Sequence, residues 1–250
     1  MTTGRTLVGT SGWSYQHWRG TFYPPDVKPA DFLRFYAGRF ATVEINNSFY
    51  RLPPETSVER WRDVAPPGFT YAVKATRFIT HYRRLVEAEG PLRQFLECTS
   101  GLGEALGPLL FQLPPSLPAD VERLEAFLDL LPGGVRAAFE FRQASWFDAG
   151  VYGVLQRHGA SFCISDLHGR PTPEVVTAPL VYVRLHGPGR YTGSYDDAGL
   201  GVWAEKCAAW ARDGHEVRVY FDNDQHGYAA HDATRLKALL EPAQGEGLQA

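Results

Sequence analysis

The chain has 250 residues, 44% of them hydrophobic and 21% charged, enough apolar material for one large core. A formal net charge of −3 argues against a global basic field for nucleic acid or an anionic membrane and leaves room only for a local basic patch. Cys98, Cys163 and Cys207 form no CxxC or metal-spaced pair, which disfavours a disulfide framework or zinc module and fits reduced thiols in a cytoplasmic protein.

The opening Met-Thr-Thr-Gly-Arg-Thr has no signal-peptide core, and no uncharged apolar run is long enough to span a bilayer. Leu7 to Thr10 reads as a first strand that opens into Ser11-Gly12-Trp13. Asp31 to Phe40 carries Phe32, Phe35, Tyr36 and Phe40 at helical spacing. Thr42 to Asn46 is the second strand, with Glu44 and Asn46 on one face, and Ser57 to Val64 is a helix. Phe69 to Ala75 is the third strand and brings Lys74 to its end. The basic connection from Thr76 to Glu89, with Arg77, His81, Arg83 and Arg84, has the length of a lid or binding loop.

Pro91 to Leu106 reads as a helix, and Leu109 to Leu113 as a fourth strand stopped by Pro114-Pro115. Pro118 to Leu131 is an amphipathic helix. In the fifth strand, from Ala137, Phe139 and Phe141 alternate with Glu140 and Arg142. A helix from Val151 to His158 precedes the sixth strand, Ser161 to Ser165, with Asp166 at its end. Residues 167–179 hold three prolines and leave little room for a helix. Leu180 to Leu185 is the seventh strand, followed by a loop with glycines at 187, 189 and 193. A helix from Gly201 to Arg212, an eighth strand from Val217 to Phe221 and a helix from Ala233 to Leu240 complete the pattern.

Eight strands alternating with about seven helices, over the ~250 residues typical of the architecture, predict an α/β fold: a single (β/α)₈ TIM-type barrel with one reduced unit at 167–179. The barrel domain is expected over residues 1–242, with 243–250 a frayed tail. An open doubly wound sheet is the alternative, disfavoured because no Gly-rich fingerprint follows the first strand.

A barrel carries its functional face at the C-terminal ends of its strands. The polar residues there are Ser11 and Trp13, Glu44 and Asn46, Lys74, Gln112, Glu140 and Arg142, Asp166, Arg184 and His186, then Asp222 and Asn223. The plain alternative is that these are barrel-filling groups paired with one another, Glu140 with Arg184 or Glu44 with Arg142. Burying so many charges without use is costly, however.

Two chemistries fit. Lys74, Arg142 and Arg184 supply cations for a phosphate or carboxylate, with Arg190 on the glycine loop and His81 on the basic connection as further contacts. The second is a divalent metal such as Mg, Mn or Zn on Glu140, Asp166, His186 and Asp222, whose oxygen and imidazole donors suit such an ion. No cofactor is otherwise implied. Without a metal, Glu140, His186 or Asp166 is the candidate acid or base. Trp13, Tyr50 and Tyr191 flank the strand ends and can stack on a planar or sugar-like ligand; for most aromatics there, a packed collar is the simpler reading.

Several motifs also carry a family resemblance: Gly9-Thr10-Ser11-Gly12-Trp13, Val43 to Tyr50, Ala72-Val73-Lys74-Ala75 with Thr80-His81, and Leu110 to Pro115. They continue with Glu140-Phe141-Arg142 plus Ser145-Trp146, Val183 to Gly187 with Tyr191 and Tyr195, and Tyr220-Phe221-Asp222-Asn223. Over nearly its full length the chain resembles the bacterial YecE-like family, a domain-of-unknown-function family numbered 72. The resemblance implies a TIM-type barrel and no established reaction. It also marks a departure, since Asp222 stands where the family pattern has Asn. The family's barrel is similar to those of the xylose isomerase and endonuclease IV type, an analogy of fold alone.

The functional expectation is a small phosphorylated or otherwise anionic ligand, acted on by a hydrolase, lyase or isomerase. The alternatives are a nucleic-acid-binding barrel or metal-dependent nuclease, using the basic segment Arg77 to Arg84, and a non-catalytic partner-binding protein.

Overall fold

The computed structural model describes residues 4–189 and 191–241. Arg190, expected at the ligand, and the tail 243–250, expected to fray, lie outside the described residues.

Eight parallel strands form a nearly closed barrel: β1 (Thr6–Thr10), β2 (Thr42–Ile45), β3 (Thr70–Lys74), β4 (Leu106–Gln112), β5 (Ala137–Glu140), β6 (Ser161–Leu167), β8 (Leu180–Leu185) and β9 (Glu216–Phe221). The short β7 (Arg170–Pro171) folds back antiparallel on β6. The strand order is β1-β9-β8-β6-β5-β4-β3-β2. The ring closes between β1 and β2 by a parallel bridge of Ser11 to Glu44, with Gly12 N–H donating to the Glu44 carbonyl at 2.8 Å. A glycine is required at this seam. A Cβ on Gly9 would lie 2.3 Å from the Thr42 carbonyl oxygen.

The outer layer is α1 (Phe32–Ala37), α2 (Glu55–Val64), α3 (Glu89–Ser100), α4 (Val121–Leu128), α5 (Ala149–Arg157), α6 (Asp197–Arg212) and α7 (Tyr228–Leu240). Between β6 and β8 no helix intervenes, as the prolines predicted. Helix boundaries differ from the periodicity where caps decide them. Asp120 caps α4, accepting from Arg123 N, so that helix starts three residues inside the apolar pattern. Asp196 caps α6 by accepting from Gly199 N at 2.7 Å, extending it N-terminally of Gly201. α3 ends at Ser100 rather than Leu106, because β4 already begins at Leu106.

Alternation along the strands sorts side chains into two cores. Outward residues such as Phe111, Phe139 and Val183 pack against the helices; Phe141 stacks on Trp146 with ring centres 4.6 Å apart. Inward residues form a separate buried set of Ala72, Leu110, Ala138, Cys163, Leu180, Tyr182 and Tyr220. One step of two toward the strand C-termini from that set come Lys74, Gln112, Glu140, Arg184 and Asp222. At the opposite end, buried Arg218 donates to Thr70 Oγ1 and to Glu216, which also takes Arg5 and Arg136.

Candidate functional site

The centre of the upper barrel is Arg184, whose side chain has no solvent exposure. Its Nε and Nη2 donate to the two oxygens of Glu44 at 3.0 and 2.8 Å, a bidentate pair across the barrel from β8 to β2. Nη1 donates to Glu140 Oε2 at 2.7 Å and Nη2 to Asp222 Oδ2 at 3.0 Å. Ser11 Oγ donates to Glu44 Oε1 at 2.5 Å, and the Tyr182 hydroxyl to Oε2 at 2.7 Å. Arg184 is therefore a fully engaged counter-ion, with no donor group turned toward solvent.

His186 is two residues on and equally buried. Its Nδ1 lies 3.0 Å from Asp222 Oδ2, and Arg142 Nη2 donates to its Nε2 at 3.1 Å. Nε2 also lies 3.3 Å from Glu140 Oε1 and 3.5 Å from Arg184 Nη1, so the imidazole sits between Asp222 on one side and Arg142, Arg184 and Glu140 on the other. Arg142, just beyond the end of β5, also pairs with Glu140 Oε1. Burial by itself raises the Glu140 carboxyl; the guanidinia of Arg142 and Arg184 outweigh it and hold the group well below the usual range. Asp222 follows the same pattern, with Arg184 and the His186 hydrogen bond overcoming burial.

Lys74 closes the set. It is 7% exposed, with Nζ 4.5 Å from the centre of the Phe49 ring. Among the described residues no carboxylate lies within 4.0 Å of it. Burial, helped by Arg184, lowers its ammonium against the opposing pull of Asp222, Glu140 and Glu44, to about 8. His81, on the turn of π-helix Phe78–Tyr82, meets Phe49 edge to face with ring centres 4.9 Å apart; burial and the nearby cations Lys74, Arg142 and Arg77 lower its pKa. Tyr191 meets His186 edge-on at 5.2 Å and lies 6.0 Å from the Arg142 guanidinium.

The structure brings together Glu44, Lys74, Glu140, Arg142, Arg184, His186, Asp222, Tyr191 and His81. Gln112 shares the inward face and sits in register with Glu140. Four predicted residues stand apart. Asp166 follows inward-facing Ser165 and so points outward, accepting from the Tyr195 hydroxyl at 3.1 Å, with burial raising its pKa. Asn223 follows Asp222 and likewise points out, its amide donating to the Gly193 carbonyl and Asp232. Trp13 packs edge-on against Trp61 at 5.5 Å and, with Asn46 and Tyr15, lines a cavity of about 390 Å³ beside the ring.

The pairing expected of Glu44 with Arg142 is corrected: Glu44 takes Arg184, which lies within β8, whereas Arg142 sits just beyond the end of β5 and pairs with Glu140. The expected pair of Glu140 with Arg184 is present. Tyr182 and Tyr15 belong to this neighbourhood and were not foreseen. Tyr182 lies two residues before Arg184 on the same face. Tyr15 donates to the Ser11 carbonyl at 2.7 Å.

The metal-ligand set fares differently from the ring as a whole. Asp166 faces away from the other three, and the oxygens of Glu140 and Asp222 are turned to guanidinium groups. Among the described residues no three His, Cys, Asp or Glu side chains group as a metal site. The donor set present therefore fits arginine better than a divalent ion. Among the described residues, no helix is long and apolar enough to cross a membrane.

The model of the family described as "Protein of unknown function DUF72" matches residues 7–249. The chain is 30% identical to the UPF0759 protein YecE of Escherichia coli K12 over 71% of this chain and 74% of that protein. It is 25% identical to the UPF0759 protein YunF of Bacillus subtilis over 94% of each. A crystal structure of a DUF72 family protein from Thermotoga maritima superposes with a TM-score of 0.86 at 30% identity, covering 95% of this chain and 99% of that one. A second, from Enterococcus faecalis, gives 0.81 at 21% identity, covering 98% and 100%. The chain belongs to the DUF72 family, in agreement with the resemblance carried by its motifs.

Proposed function

We propose that the upper barrel binds a small organic anion, a phosphate ester or carboxylate, and transfers a proton beside it, as in an isomerase, lyase or hydrolase. The observation that carries this reading is the layering of charge. Glu44, Glu140 and Arg184 lie deep with no side-chain exposure, while Arg142 and Lys74 are nearer the mouth. Asp222, 13% exposed, is as open as either, but its Oδ2 is already held by Arg184 and His186, so Arg142 and Lys74 are the cations within reach of an arriving anion.

Arg142 is the anion's partner. Its planar fork suits phosphate or carboxylate, and moving it to the ligand uncovers His186 Nε2. His186 then acts as general base, with Asp222 holding Nδ1–H and stabilising the imidazolium that forms. Arg184 holds Glu44, Glu140 and Asp222 in place and takes no part in capture.

The test is thermal unfolding of wild type and Arg142→Met against a panel of phosphorylated metabolites and organic acids. Stabilisation of the wild type that is lost in the variant is the expected result. A flat response of the wild type across the panel rejects the reading.

A second reading draws on the rim. Tyr50, Phe78 and Tyr82 are exposed, and the Arg77 guanidinium lies 5.5 Å from both the Tyr50 and Tyr82 rings. Aromatics interleaved with arginine suit stacking on a nucleic-acid strand. Salt-dependent retardation of a labelled single-stranded oligonucleotide supports it; no binding at low salt ends it.

A further inference from the structure

We propose that Lys74 is an amine nucleophile and that the anion taken by this site is a carbonyl compound, such as a 2-oxo acid or a phosphorylated aldehyde, bound as a Schiff base. The proposal deepens the anion-site reading and rests on it for the substrate's charge.

The first ground is the placement of Lys74. It ends β3 on the inward face, and its backbone is fixed by Ser48 Oγ, which donates to the Lys74 carbonyl at 2.6 Å. The three acids of the cluster are held by Arg184, and Arg142 adds a second hold on Glu140, so none is left to lock Lys74 as an ion pair. The Phe49 ring over which its Nζ sits offers no acceptor lone pair. The second ground is composition. The chain has four lysines, Lys28, Lys74, Lys206 and Lys237, among 25 basic residues. Lys28 and Lys237 are exposed, and Lys206 is paired with Glu174 at 2.6 Å. Where this chain needs a buried fixed cation it uses arginine, as at 184 and 218. Lysine differs in that it can give up its proton when buried, and a neutral amine is what carbonyl addition requires.

The groups facing Lys74 set that protonation: Arg184 from β8, Glu44 from β2, Glu140 from β5, Asp222 after β9, and His81 and Phe49 from the neighbouring connections. With its pKa at about 8, roughly half of Lys74 is neutral at pH 8, against less than about 1% of an ordinary lysine.

The step balances without a further reagent. The Nζ lone pair attacks the carbonyl carbon, forming a C–N bond while the C=O pair moves to oxygen. A proton passes from nitrogen to that oxygen, giving a carbinolamine. Protonation of the hydroxyl, by the proton that Lys74 passed to His186 on becoming a neutral amine, lets water leave with the C–O pair, and an iminium remains. The iminium withdraws electrons from the adjacent carbon, where His186, now neutral, can take a proton.

The experiment is reductive trapping of the full chain with cyanoborohydride at pH 8, using glyoxylate, glyceraldehyde 3-phosphate and pyridoxal 5′-phosphate in parallel, read by intact mass and peptide mapping. The expected result is one adduct on Lys74, favoured by at least about tenfold over the three surface lysines. Lys74→Arg, which keeps the charge, should abolish it with unchanged circular dichroism. The Lys74 trapping rate should level off above about pH 8 while the surface lysines keep rising. No Lys74 adduct with any of the three probes, or labelling spread evenly over all four lysines, overturns the proposal. Arg142→Met separates the two readings. If glyoxylate trapping at Lys74 is unaffected by it, the amine stands and anion capture by Arg142 fails. If glyoxylate stabilises the wild type and not Arg142→Met, yet nothing is trapped, anion capture stands and the amine fails.

Discussion

Replacing Arg184 by Met keeps a side chain of similar reach and removes the charge that Glu44, Glu140 and Asp222 share. Glu44 and Glu140 have no side-chain exposure, so the variant must bury uncompensated anions or protonate them. Deleting one partner of a buried pair costs about 3–5 kcal/mol. Arg142 remains on Glu140 and His186 on Asp222, so a single-pair figure applies rather than three. For a domain of this size that is a drop in Tm of roughly 6–20 °C. Urea unfolding at pH 8, 6.5 and 5 supplies a second signature. Carboxyls stripped of Arg184 have folded-state pKa values above their unfolded ones, so the variant regains stability as pH falls through them. The deficit must therefore shrink toward pH 5. A deficit under about 1 kcal/mol, or one equal at pH 8 and pH 5, refutes charge burial as the role of Arg184.

Three further outcomes are expected. Gly9→Ala pushes a methyl to 2.3 Å from the Thr42 carbonyl at the barrel seam and should cost about 1–3 kcal/mol or more in thermal unfolding; an unchanged Tm means the seam can open. Glu216 is raised by burial but held down to about 2 by Arg218, Arg136 and Arg5, so its contribution is complete above the unfolded value near 4.5 and is lost as pH falls toward 2. Glu216→Gln should flatten the acid limb of stability against pH; an identical limb assigns acid unfolding elsewhere. Tyr195→Phe removes the hydroxyl that donates to Asp166 and accepts from Gly187 N, a loss of about 1–2 kcal/mol measured by urea midpoint, and a neutral result places water in both roles.

The barrel was legible because a strand covered on both faces reads as an apolar run, and such runs stand out from Leu7, Thr42, Phe69, Leu109, Ala137, Ser161, Leu180 and Val217. Much of the site was legible for the same reason, since charges ending an apolar run are conspicuous. Side-chain parity was also available and was not applied: counting by twos from Cys163 leaves Asp166 outside, and from Tyr220 leaves Asn223 outside. Ion-pair choice was not available. Whether Glu44 meets Arg142 or Arg184 depends on how far along its strand each arginine enters the barrel, since β5 and β8 are equally distant from β2 in the ring, and a linear pattern does not carry that. Helix starts at Asp120 and Asp196 were missed because an N-cap is one polar residue against a long apolar rhythm.

The hold of Arg184 on Glu44 and Glu140 spans 140 and 44 residues of chain. Both acids leave the ribosome before the cation that neutralises them. A nascent chain ending short of β8 carries two carboxylates on the inner face of an incomplete sheet, with Arg184 still to come. Arg142 is already at hand for Glu140, but Glu44 has its ion-pair partner only in β8, so a charge-paired interior requires that strand. The residues at the centre of the candidate site thus also set how much of the chain must be present before the barrel interior is neutral.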